Sequence, residues 1–276
     1  MPEQTILRTC AENLDYGVSV EIGATPIRLR TSSPAFFRLL EDRYGGFLGQ
    51  APKPSYELDV ELHSPTPNSP RADLEVSRNQ NVWRISRGDF WAEWDTQSRR
   101  GHVRQSPNPY SIDTVLRILH SLVLTEEGGF LVHAASAIRN GRAFLFSGVS
   151  GAGKTTISRL APPDVTVLTD EISYVRKCNG VYRAFGTPFA GELARVGENV
   201  AAPIAGLFFL DKGPENRREP IGDSAAAAAL LRNILFFAED PALVQTVFQS
   251  ACDFVRCVPV SRLVFRPDPA VWETIV

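Results

Sequence analysis

Apolar and polar positions alternate with a period of two through most of the first third of the chain. Residues 16–22 and 26–30 flank Gly23-Ala24, residues 56–62 alternate cleanly, and 74–78, 82–86 and 90–94 follow at meander spacing. Each stretch predicts a strand. One helix interrupts them: Ser33-Pro34 starts it, Phe36, Phe37, Leu39 and Leu40 give it an apolar side, and Gly45-Gly46 ends it. Residues 1–107 therefore read as an N-terminal α+β module that could bind a substrate or partner. Trp83, Trp91 and Trp94 belong to its core by their alternation, with a binding face as the lesser reading. The polar run 95–108 ends at Pro107-Asn108-Pro109 and marks a domain boundary, with Arg99-Arg100 in a solvated turn, after which residues 108–276 form a second domain.

That second part changes period. With Ser111 as cap, Ile112, Val115, Leu116, Leu119, Leu122 and Val123 recur at helical spacing, which leaves Asp113, Arg117 and His120 on the solvent side. Residues 131–139 and 142–147 then flank Asn140-Gly141, a hairpin signal because both turn residues tolerate positive φ. Counting back through a two-residue turn pairs 139 with 142 and places His133 beside Gly148.

Gly148 opens the segment Gly148-Val149-Ser150-Gly151-Ala152-Gly153-Lys154-Thr155, which fits G-x-x-x-x-G-K-[ST]. In such a loop backbone N–H groups surround phosphate oxygens, the lysine reaches the β- and γ-phosphates, and the hydroxyl holds Mg²⁺. Gly148, Ser150, Gly151, Ala152, Gly153, Lys154, Thr155 and Thr156 are thus the expected contacts of a nucleoside triphosphate and its Mg²⁺. A helix over 155–160, stopped by Pro162-Pro163, should follow the loop and present its N-terminus to the anion.

A short strand over 165–168 runs into Asp170-Glu171, where carboxylates at a strand's C-terminal end face the ligand crevice. Asp211, at the end of the apolar run 204–210, competes with Asp170; the short crossover after the loop helix favours Asp170. A further hairpin spans 172–176 and 181–185. The Gly- and Pro-bounded segment 186–192 reads as a mobile loop in which Glu192 either completes a metal shell or is simply solvated. An Ala-rich helix capped by Ser224 and reaching Phe236, a helix begun by Asp240-Pro241 and a strand over 258–265 look like scaffold.

Composition narrows the partners. The net charge of −2 and pI near 6.1 give no bulk attraction to nucleic acid or to an anionic membrane, and no apolar run approaches the ~18 residues of a membrane helix. Cys10, Cys178, Cys252 and Cys257 lack zinc-like spacing, and the N-terminal residues lack the design of a secretion signal. A cytoplasmic protein with reduced thiols is the expectation; self-association is left open.

These parts resemble the HPr kinase/phosphorylase family and its relatives, the kinases of lasso-peptide clusters and, more distantly, the ATP-dependent phosphoenolpyruvate carboxykinases. The resemblance spans roughly residues 111–265 and rests on Leu131-Val132-His133-Ala134-Ala135, the loop at 148–156, Asp170-Glu171 and 186–192. It implies an α/β fold, a mixed-sheet phosphate-loop kinase domain beside a smaller N-terminal α+β module. It also implies transfer of the ATP γ-phosphate to a hydroxyl, Ser or Thr of a peptide or small protein. His133 would stand near the transferred group, Lys154 would bind the β/γ-phosphates, and Thr155, Asp170 and Glu192 would hold metal. The second acid of the pair would take the acceptor proton. The family shows Asp-Asp where this chain has Asp170-Glu171, so the base is shared between the two. The segment used for phosphorolysis is replaced by Gly-Thr-Pro-Phe-Ala-Gly-Glu, which points to a kinase alone. A small-molecule kinase or carboxykinase-like enzyme, and a nucleotide-regulated binding protein without turnover, are the alternatives.

Overall fold

The computed structural model describes residues 14–49, 51–64, 73–189, 191 and 196–275. β1 (Tyr16–Ile22) and β2 (Thr25–Thr31) turn through Gly23-Ala24, both at positive φ. α1 (Pro34–Tyr44) starts where its cap predicts, Ser33 Oγ accepting the Phe36 N–H at 3.2 Å. β3 (Tyr56–Leu62), β4 (Glu75–Asn79), β5 (Val82–Arg87), β6 (Phe90–Asp95) and β7 (Arg100–Gln105) complete a seven-stranded sheet ordered β1-β2-β3-β7-β6-β5-β4. It is mixed, with β2/β3 and β3/β7 parallel.

β7 occupies much of the polar stretch expected to mark a domain boundary. Arg100 and Arg104 face outward and pair with Glu57 and Glu61 of β3, while Val103 is buried on the other face. The polarity that suggests a boundary is therefore one side of a strand inside a charged cross-strand ladder. The tryptophans divide in the same way. Trp83 and Trp94 are core, whereas Trp91 points outward beside His102, so the three do not make one binding face.

α2 (Pro109–Glu126) is capped by Asn108, whose Oδ1 accepts the N–H groups of Tyr110 and Ser111; the expected cap, Ser111, lies inside the helix. The helix is buried almost all round, because α1, Phe189 and Tyr174 cover the side expected to meet water. Asp113 binds Arg43 and Tyr44 of α1, and His120 is fully buried with its ring edge-on to Tyr174, 5.6 Å between centroids. Burial alone pushes the His120 pKa down to about 3, so the ring is neutral. One hydrophobic cluster runs from Val18 and Trp94 through α1 and α2 to Leu131, Tyr174 and Phe189.

β8 (Phe130–Arg139) and β9 (Arg142–Ser147) form the expected hairpin, Arg139 opposite Arg142 down to Ala134 opposite Ser147, with Asn140 and Gly141 at φ 51° and 71°. α3 (Lys154–Arg159), β10 (Thr166–Thr169), β11 (Ile172–Cys178), β12 (Val181–Phe185) and β13 (Ala201–Lys212) follow. Successive pairing of β8, β9, β13, β12 and β11, and of β11 with β8 again, closes a five-stranded ring. β14 (Arg217–Pro220) precedes α4 (Asp223–Leu231), which is shorter than the expected Ala-rich helix and begins after Gly222. Ile234 and Leu235 leave it to form β15 (Ile234–Leu235), pairing with Val132 and Leu131 on β8; the sheet edge outcompetes the helix for these apolar residues. α5 (Pro241–Cys257) is capped by Asp240 as expected, and β16 (Val260–Phe265) runs parallel to β13. α6 (Val271–Ile275) was not anticipated.

β9 sits at the centre of this half. Phe144 and Phe146 pack toward α3 and α6, Ala143 and Leu145 toward α4 and α5. Both faces are covered, which is why 142–147 reads as a nearly continuous apolar run. The chain is thus mixed α/β, with two mixed sheets and six α-helices among the described residues. No helix there is long and apolar enough to cross a membrane. Cys178, Cys252 and Cys257 are free thiols, and Cys10 lies outside the described residues.

Candidate active site

Ser147 ends β9 and the chain turns sharply into the loop, which requires glycine at particular points. Gly153 has φ 113°, and a Cβ there would stand 2.6 Å from the Phe265 ring of β16. Gly148 closes against Ala152, whose methyl is turned into the core. Gly153→Ala is expected to cost about 1–2 kcal/mol through left-handed strain and to weaken ATP binding about tenfold. Thermal unfolding and an ATP titration of that variant check the effect; unchanged affinity would mean that the loop conformation is not what binds.

A cavity of about 250 Å³ opens above the loop. Its floor is Ser150, Gly151, Gly153, Lys154, Thr155 and Thr156. Of the expected nucleotide contacts, Gly148 and Ala152 do not line it and instead shape the turn. Lys154 is nearly buried and donates through Nζ to the carbonyl oxygens of Gly148, at 2.8 Å, and Val149, at 3.3 Å. Its ammonium is thereby held over the loop.

His133 reaches the same cavity by register, one residue beyond the Ala134/Ser147 pair. Its backbone is fixed on both sides, by pairing with Ile172 and by the N–H bond to Asn233 O at 2.8 Å. Partial burial first, and the Lys154 charge second, lower its pKa from the ordinary 6.5, so the ring is neutral at pH 7 and gains a proton only in more acidic solution.

Asp170 and Glu171 form the wall beside it. They sit in a turn organised by Thr169, whose Oγ1 accepts the N–H groups of Glu171 at 3.2 Å and Ile172 at 3.3 Å. Asp170 is buried, and its Oδ1 accepts the Gly191 N–H at 3.1 Å. Asp211, the competing carboxylate, projects from the opposite side of β13 toward Arg262, 3.4 Å away, and does not line the cavity.

The segment expected to be a mobile loop is packed over its first four residues. Gly186 to Phe189 are buried, Thr187 Oγ1 donates to Ile172 O at 2.8 Å, and Arg117 lies 4.9 Å over the Phe189 ring. An aromatic anchor and a hydroxyl bonded to the neighbouring strand convert a Gly/Pro-rich sequence into fixed structure. Glu192 lies outside the described residues.

The donor set suits Mg²⁺. That ion takes one or two carboxylates together with phosphate oxygens and water, and Thr155 and Asp170 offer a hydroxyl and a carboxylate on one cavity. Among the described residues no three His, Cys, Asp or Glu side chains form a metal cluster. Two features of the wall were missed in the sequence. One is the Thr169 turn; the other is Lys212, the last residue of β13, which lines the cavity opposite the acids. Its signal was scarcity, since it is one of only four lysines in the chain.

Comparison with known proteins gives a family and a distant structural likeness. The solved structure of the HPr(Ser) kinase/phosphatase from Coxiella burnetii aligns with 44% of this chain and 87% of its own at 13% identity, with a TM-score of 0.24, too low to carry an argument about fold. No curated protein matches. The family model described as SynChlorMet cassette protein ScmC matches residues 110–276, which contain every described residue of the cavity. That match spans well over half of the sequence, and the chain belongs to the ScmC family of SynChlorMet cassette proteins.

Proposed function

We propose that this chain is an ATP- and Mg²⁺-dependent phosphotransferase that moves the γ-phosphate to a hydroxyl, with Ser or Thr of a peptide or small protein as acceptor. The observation that carries this is the convergence of His133, Lys154, Asp170 and Glu171, from three separate segments, on one cavity above a G-x-x-x-x-G-K-T loop. Phosphoryl transfer asks mainly for positioning and for neutralisation of charge on the phosphate oxygens, with a carboxylate aligned to the nucleophile. A loop, an ammonium and an acidic pair supply those parts.

In this reading the loop N–H groups and Lys154 orient the triphosphate, while Thr155 and Asp170 would hold Mg²⁺. When bound, the ion adds neutralising charge on the phosphate oxygens. A carboxylate of the acidic pair takes the proton of the acceptor hydroxyl. The oxygen forms its bond to the γ-phosphorus as the bond to the β–γ bridging oxygen breaks, and ADP leaves. Neutral His133 stands beside the transferred group as a hydrogen-bonding partner without adding charge.

The test is transfer of labelled γ-phosphate from ATP to hydroxyl-bearing peptides, with release of ADP, by purified full-length protein. Lys154→Ala is expected to abolish both nucleotide binding and transfer. ATP binding with no transfer to any acceptor and no ADP formation would reduce the chain to a nucleotide-binding protein.

A further inference from the structure

β13 and β8 flank β9 on opposite sides, so the phosphate loop that continues β9 has a wall on each. The β8 side carries His133, with Asp170 and Glu171 beyond it. The β13 side carries Lys212. Strand register explains how it arrives there. Phe209 pairs with Ser147, Leu210 lies against Gly148, and Lys212 is two residues further on, at the height of the loop's crest. Alternation fixes its direction. Phe208 and Leu210 pack on the α3 side, Lys212 shares their face, and Asp211 is turned the other way to Arg262.

The charges make this position informative. A polyphosphate brings several negative charges into a cavity that already holds two carboxylates, and within the loop only Lys154 offers a full positive charge. Lys212 forms no ion pair among the described residues and is exposed toward the cavity mouth, although ion pairs are common elsewhere on this chain. A lysine is a point charge with three donors on a flexible stem, suited to following phosphate oxygens rather than fixing one planar partner.

We infer that Lys212 is a second phosphate-binding cation of this site, holding the polyphosphate chain of the nucleotide from the flank opposite the acidic pair. The inference rests on the nucleotide-binding reading above and adds to it a residue outside the loop motif. Lys212 acts on the affinity for the phosphate chain, not on the proton transfer assigned to Asp170 and Glu171.

The test is equilibrium binding of ATP, ADP and AMP to the full chain with Mg²⁺ present. Lys212→Ala is expected to weaken ATP and ADP about tenfold and AMP less than twofold, Lys212→Glu to weaken ATP about a hundredfold, and Lys212→Arg to stay within threefold of the parent. Lys212→Gln, which keeps the stem, should match Lys212→Ala and separates loss of charge from loss of packing. ATP and ADP affinities within twofold of the parent in both neutral variants would overturn the inference while leaving nucleotide binding intact. Absence of binding by the parent chain itself would overturn both.

Discussion

Asp170→Asn is expected to lower phosphoryl transfer about a thousandfold while leaving ATP affinity within about threefold. Asn preserves the shape of the buried side chain and keeps an oxygen to accept the Gly191 N–H, so the wall of the cavity stays in place. What is lost is a negative charge at the position where, with Thr155, a divalent ion would be held, and charge stabilisation of this kind contributes several kcal/mol to a transition state. In the proposed reading, nucleotide affinity comes from the loop and its lysine, which the substitution does not touch. The magnesium concentration needed for half-maximal rate should rise with Asp170→Asn and stay put with Glu171→Gln. That contrast, measured as transfer rate against Mg²⁺ at saturating ATP, assigns the two acids separately. If Asp170→Asn keeps more than a tenth of the parent rate, the acidic wall is not part of the chemistry.

The parts of this site that were readable in the sequence are those fixed by local rules. Asn140-Gly141 dictates a two-residue turn, the turn dictates the β8/β9 register, and the register carries His133 to the loop without any tertiary information. Lys212 and Asp211 depended on a parallel pairing between distant strands, which no short-range pattern encodes. Which of two adjacent residues faces the cavity is then a matter of strand parity, and a shift of one residue would exchange them. The polar side of α2 misled for a related reason. Asp113, Arg117 and His120 fit helical amphipathicity equally well whether the polar stripe meets water or another layer of protein, and here α1, Phe189 and Tyr174 cover it. Likewise the 95–108 stretch reads as a polar boundary because the outward face of β7 is arginine and histidine, whose partners Glu57 and Glu61 lie some forty residues earlier.

The second large effect concerns that covered stripe. Asp113→Ala is expected to destabilise the chain by about 3 kcal/mol, lowering its melting temperature by roughly 6–12 °C at the 2–4 °C per kcal/mol usual for chains of this length. Asp113 is nearly enclosed, receives both Nε and Nη2 of Arg43, and accepts the Tyr44 hydroxyl at 2.5 Å. Tyr44 is fully buried, and burial, reinforced by the Asp113 charge, raises its pKa well above the ordinary 10, so its proton stays to donate. Removing the carboxylate strands a buried phenol and leaves a partly buried guanidinium without its partner, and the cost of such orphaned groups exceeds the net worth of the bonds themselves. Asp113→Asn keeps an acceptor for Tyr44 and should lose about half as much. The same hydrophobic cluster continues from the N-terminal sheet through α2 to Phe189 beside the cavity, so the whole chain should melt in one transition that moves as a unit. Calorimetry decides this: two separate transitions, with only the lower one displaced by Asp113→Ala, would show that the N-terminal sheet unfolds independently of the half that carries the phosphate loop.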